Sequence, residues 1–127
     1  MLKGKIENYS KAADLLSRSL VSPVVDERDL AGIVKCFEMT YELAWTTLKT
    51  QLKEQGIESQ GPRDVFKAAW RIGILSVGEE SAWVKMIEDR NLTIHTYDEA
   101  FARAMVERIR KTQEPALQAL RMLWSVV

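Results

Sequence analysis

The chain is poor in the residues that build covalent or metal-held frameworks. One cysteine, Cys36, and one histidine, His95, occur in 127 residues. A lone cysteine closes no internal disulfide, and one cysteine with one histidine cannot fill the four positions of a structural zinc site. The six glycines stand singly and the prolines number three, so the sequence holds no glycine-rich phosphate loop and no low-complexity linker. Long apolar runs are missing too. The longest, Ile72 to Val77, is interrupted by Gly73 and Ser76, whereas a membrane-crossing helix needs roughly 20 apolar residues. The stretch MLKGKIENYSKAAD has early lysines with no apolar segment behind them, which reads against a secretory signal and towards the cytoplasm. Nor does either sign of charge dominate. Eighteen basic residues balance eighteen acidic ones, so the surface as a whole is no polyanion trap and any nucleic-acid contact has to be local.

What is present is helical periodicity. With 46% apolar and 28% charged residues, the composition is that of one globular domain over 1–127 with a single core. Ile6, Tyr9, Ala13, Leu16 and Leu20 recur every three or four positions, which stacks them on one stripe of a first helix. After Ser22-Pro23, a longer stripe runs through Leu30, Val34, Phe37, Tyr41, Ala44, Trp45, Leu48 and Leu52, and Gly56 stands where a helix C-terminus is expected. Gly61-Pro62 predicts the start of a short helix with Val65, Phe66, Ala69 and Ile72 on its apolar face, stopped by Gly73. Another opens at Gly78-Glu79 and runs through Trp83, Met86 and Ile87 to Arg90. Thr96 followed by Glu99 fits a capping box, so a last helix is expected from about residue 97, lined by Phe101, Met105, Ile109, Thr112, Leu117, Leu120 and Trp124 and kinked or split at Pro115. No segment alternates for long like a strand. The expected fold is all-α, an up-and-down four-helix bundle of four to five helices.

The densest chemistry lies in EDRNLTIHTYD, residues 88–98. An uninterrupted helix would set Arg90 and His95 about 140 degrees apart. A turn between Asn91 and Ile94 would instead gather Arg90, Asn91, His95 and Tyr97 at facing helix ends. Arginine can hold a phosphate through two parallel hydrogen bonds, and neutral imidazole can exchange a proton near neutral pH. Those are the parts for metal-free RNA cleavage by the ribose 2′-hydroxyl. The reaction also wants an acid, and each chain has one histidine, so a homodimer is expected to bring two copies together. Taken alone, the spacing reads first as a solvated or capping histidine, and Tyr97 as a staple on the helix start. On helix two, Glu38 and Glu42 lie four residues apart beside the apolar stripe, and one of them is expected to pair with Arg90 and fix it. As a magnesium site the two carboxylates are a weak signal. The basic positions Arg63, Lys67, Arg71 and Lys85, and Arg108, Arg110 and Lys111, read first as solvated helix faces.

Arg90, Asn91, the spacer Leu92-Thr93-Ile94 and His95 resemble the signature of HEPN-domain ribonucleases, and Tyr97 matches the tyrosine two residues after the histidine in HEPN toxins paired with minimal nucleotidyltransferases. FEMTYELAW at 37–45, GPRDV at 61–65 and EDRNLT at 88–93 resemble the nucleotidyltransferase substrate-binding protein family, a branch of the same group. The resemblance covers most of the chain. It implies a HEPN-like bundle that works with a separate minimal nucleotidyltransferase, with RNA as substrate, Arg90 and His95 as catalytic residues and Asn91 with Arg90 as substrate-binding residues. It also implies silencing by AMP transfer to Tyr97, and needs no cofactor and no metal. The alternative it carries is a non-catalytic substrate-binding subunit.

Overall fold

The structure is a computed structural model, described here for residues 1–125. It contains six α-helical segments: α1 (Leu2–Val21), α2 (Glu27–Glu54), α3 (Pro62–Arg71), α4 (Glu80–Leu92), α5 (Glu99–Arg108) and α6 (Glu114–Ser125). Short 3-10 turns occupy Val77–Glu79 and Thr93–His95, and one π turn, Ile109–Gln113, joins α5 to α6 without a break. Counted as rods, these make five helices and no strand among the described residues, an all-α bundle.

The punctuation of the sequence explains most boundaries. α2 ends at Gly56 (φ 81) with Ile57 N–H donating to Leu52 O (2.9 Å) and Gly56 N–H to Lys53 O (3.0 Å). α3 ends the same way at Gly73 (φ 82), with Ile74 N–H on Ala69 O (2.9 Å) and Gly73 N–H on Trp70 O (3.1 Å). Both are Schellman closures, whose left-handed residue carries no steric penalty in glycine. The start of α2 is fixed by a capping box between Asp26 and Asp29. Because α3 stops at Arg71, Ile72 leaves the apolar face and is 42% exposed.

Two boundaries differ from the sequence reading. The cap of α5 is Asp98, whose carboxylate accepts from Phe101 N–H (3.0 Å), while the Thr96 hydroxyl donates back to Thr93 O (2.6 Å). An aspartate nearer the helix takes the amide that Thr96 would have taken. At the far end, Pro115 lacks an amide hydrogen and its ring would crowd the carbonyl one turn back. The helix widens just before it, with Glu114 N–H bonded to Ile109 O five residues earlier. As a result Gln113 points into the core and Thr112 faces solvent.

The core sits between α1, α2 and the α5–α6 rod, with α3 and α4 closing one side. Tyr9, Leu16, Phe37, Tyr41, Leu48, Phe66, Trp83, Met105 and Leu117 are among its fully buried side chains, a chain of aromatics bridged by aliphatics. Phe37, Tyr41, Phe66 and Trp83 stack in sequence with ring centroids 6.2, 6.1 and 4.9 Å apart, which fastens α2 to α3 and α3 to α4. Tyr9 closes the other side by donating to Leu117 O (2.6 Å). Among the described residues no helix is long and apolar enough to cross a membrane.

Candidate functional site

α4 is polar for a core helix, and its last turn is held by ionic bonds. Asp89, fully buried, stands three residues after Met86 in the buried register. It accepts from Arg108 through Nη2 (2.8 Å) and Nε (3.1 Å), and from Gln113 Nε2 (2.6 Å). The π turn is what aims Gln113 at this carboxylate. Asp89 in turn raises the pKa of Arg108 by accepting its hydrogen bonds, against the effect of burial. Arg108 and Gln113 thus pin the end of α4 to the α5–α6 rod.

One residue on, Arg90 turns the other way, towards α2. Its Nε donates to Glu42 Oε1 (3.1 Å), and the second oxygen of Glu42 accepts from Trp45 Nε1 (2.9 Å). Glu42 is therefore anchored from its own helix while it orients the arginine. Arg90 Nη1 reaches Thr93 Oγ1 (3.4 Å), whose hydroxyl donates to Arg90 O (3.0 Å). The remaining nitrogen, Nη2, has no partner among the described residues. The pair is half-exposed, with side-chain exposures of 37% for Arg90 and 45% for Glu42. Glu38 does not pair with Arg90; it lines the same shallow groove, about 380 Å³, with Lys35, Met39, Glu42, Leu43 and Arg90.

The turn expected between Asn91 and Ile94 falls later. α4 tightens into the 3-10 turn at Thr93–His95 and the chain bends at Thr96–Asp98. Asn91 and His95 are exposed, and no hydrogen bond or ion pair joins Arg90 to His95 among the described residues. His95 rests edge-on against Phe101, ring centroids 5.9 Å apart. Tyr97 stands free at 86% exposure beside the exposed Ile94. Arg90, Asn91, His95 and Tyr97 thus share one end of the bundle, but only Arg90 is held in a network. The described residues contain no group of three or more histidine, cysteine, aspartate or glutamate side chains spaced to hold a metal ion.

Sequence reasoning did not assign Asp89, Arg108, Gln113, Trp45 or Thr93 to this site. A signal existed for Asp89, since an acid in the register of Trp83 and Met86 has to find a buried partner. None existed for Gln113, whose inward position depends on the π turn.

The fold recurs among known proteins. Residues 4–122 match the family model described as nucleotidyltransferase substrate binding protein like. A probable ribonuclease HepT of Haemophilus influenzae is 34% identical over 91 residues, 68% of this chain and 61% of that protein, so the match spans less than two thirds of the relative. A crystal structure of a protein from Thermus thermophilus superposes with a TM-score of 0.77 at 29% identity, covering 91% of this chain and 93% of that one. With the family model spanning nearly the whole chain and a solved bundle of the same fold, the chain belongs to the nucleotidyltransferase substrate-binding family of HEPN-like helical bundles.

Proposed function

We propose that this protein is the HEPN-like subunit of a two-component system with a minimal nucleotidyltransferase, and that it cuts RNA without a metal until its partner transfers AMP to Tyr97. The observation that carries the reading is the Trp45–Glu42–Arg90 relay, which fixes one edge of the guanidinium and leaves Nη2 open at the bundle end where His95 and Tyr97 stand. A built arginine of this kind suits a phosphoryl oxygen. His95, as the base, takes the proton of a ribose 2′-hydroxyl; the freed oxygen attacks the neighbouring phosphorus; and the 5′-oxygen leaves with a proton from a second imidazole, itself protonated. A homodimer supplies that acid as the second copy's His95. Asn91, towards substrate, completes the proposed site, and Glu38 lines the groove beside Arg90.

Purified protein free of any partner should cut single-stranded RNA in excess EDTA and leave 2′,3′-cyclic phosphate ends. His95→Ala and Arg90→Ala should each slow cleavage by about a hundredfold to ten-thousandfold. Equal cutting by wild type and His95→Ala would end the nuclease reading. The free Tyr97 hydroxyl is the proposed acceptor of AMP, where a new negative charge beside Arg90 repels and blocks an RNA phosphate. With ATP and the partner, intact-mass spectrometry should find one AMP on wild type and none on Tyr97→Phe.

The absence of any hydrogen bond orienting the His95 ring among the described residues favours a second reading, a subunit that presents a substrate to the nucleotidyltransferase and cuts nothing. The EDTA experiment separates the two.

A further inference from the structure

Tyr41 is 2% exposed, and its ring is clasped by Phe37 and Phe66. Its hydroxyl has no hydrogen-bond partner among the described residues. Unlike the unpartnered Thr47 Oγ1 and Trp83 Nε1, it is not sealed from solvent among the described residues. The oxygen therefore reaches solvent at the tip of a buried ring. A buried tyrosine normally spends its hydroxyl on a protein partner, as Tyr9 does on Leu117. A hydroxyl left open at the rim of a packed ring is positioned for something that arrives from outside.

Its surroundings say what. Burial and the charge of Glu42 push the Tyr41 pKa up to about 12, while Arg90 and Arg63 pull it down. The group is thus a protonated donor at any physiological pH, lying in the field of two arginines. Phe66 on α3, one turn after Arg63, packs on Tyr41, and Arg90 is bonded to Glu42, the chain neighbour of Tyr41, so both arginines stand near its ring. Arg63 is exposed and makes no ion pair among the described residues, and no side chain caps the start of α3.

We infer that the Tyr41 hydroxyl and Arg63 form a second phosphate site on the RNA strand, next to the phosphate held by Arg90. Tyr41 donates one hydrogen bond to a phosphoryl oxygen, and Arg63 neutralises its charge. This rests on RNA being the ligand of the site, but it does not require that RNA be cut.

The probe is a single-stranded RNA oligonucleotide with 2′-O-methyl groups, which cannot be cleaved, titrated by fluorescence anisotropy over a range of salt. Arg63→Gln should weaken binding about tenfold and flatten the dependence of log affinity on log salt by about 0.7, one phosphate contact on a single strand. Tyr41→Phe keeps the ring and its stacking, and should weaken binding by about threefold to tenfold with the salt slope unchanged, as expected for one neutral donor. Thermal melts of both variants should match wild type. Wild-type affinity in either variant overturns the assignment, and so does failure of the wild type to bind the probe. If unmodified RNA survives intact while the methylated probe still binds through Arg63 and Tyr41, the nuclease reading falls and this site stands.

Discussion

Asp89 and Arg90 each belong to an arginine–carboxylate pair, but the two pairs are built for different ends. Asp89 is fully buried, takes two bonds from Arg108 and a third from Gln113, and crosses from α4 to the α5–α6 rod. Arg90 and Glu42 share one bond, both are close to half-exposed, and a guanidinium nitrogen is left over. A buried pair costs several kcal/mol in desolvation and is kept only if every lone pair and proton finds a partner. An exposed pair costs little, contributes little to stability, and can exchange its partner for a ligand. Within one helical turn the chain places a rigid anchor beside an open guanidinium edge.

The largest expected effect follows from breaking the anchor. Arg108→Ala leaves the Asp89 carboxylate in the core with only Gln113, and should cost about 3–5 kcal/mol of stability. Urea unfolding monitored by circular dichroism measures it. Asp89→Ala should cost somewhat less, because Arg108 is a third exposed and can turn to water. A loss below about 1 kcal/mol for Arg108→Ala would place the two pairs in the same class and remove the contrast.

The contrast also marks what could be read from sequence. Helices, their glycine stops and the all-α bundle were legible, since they depend on local periodicity and on two residues, Gly56 and Gly73, whose backbone role is fixed by their lack of a side chain. The pairing of Arg90 with a glutamate of α2 was legible in outline because Glu38 and Glu42 flank the apolar stripe. The choice of Glu42 was not. It depends on Trp45, which reads in sequence as another core residue and in the structure spends its indole N–H on that carboxylate. The cap at Asp98 and the inward turn of Gln113 were misread for related reasons. Thr96 and Thr112 satisfy the local patterns, and a competing aspartate in one case and a proline-induced π turn in the other move the register by one or two residues.

A middle-sized effect tests the open edge. Glu42→Gln keeps the shape and can still meet Trp45, but it removes the charge that holds Arg90 Nε. Stability should stay within about 0.5 kcal/mol of wild type. Under the proposed nuclease function, RNA cleavage should fall about tenfold to a hundredfold, as expected when a catalytic group is misplaced. Glu38→Gln, which has no bond to Arg90, should lose less. Thermal melts and single-turnover cleavage of the same preparations check both halves. Loss of stability without loss of cleavage would make Glu42 a structural partner like Asp89.

The smallest effect concerns a third carboxylate site, the cap of α2, where backbone amides join an exposed arginine, Arg28, on Asp26. Asp26→Ala removes the bonds to Arg28 and Asp29 N–H (2.9 and 3.4 Å) and should cost about 1 kcal/mol. Asp29 answers from the other side of the box, accepting from Val25 N–H (2.6 Å) and Asp26 N–H (3.1 Å). Those hydrogen bonds, Val25 first, lower its pKa from the ordinary 3.8. A carboxyl whose pKa falls on folding stabilises the protein above its unfolded value and loses that contribution as pH drops through the folded one. Asp29→Asn should therefore melt below wild type at neutral pH, and the gap should close only as pH falls beneath about 3.8. Glu79 and Glu114 carry the opposite shift, raised by burial, and favour the folded state as they protonate. Both remain in the variant and cancel in the difference. Melting temperatures of the two proteins from pH 2 to pH 7 give the curve, and a gap independent of pH would mean that the charge on Asp29 has no part in holding the start of α2.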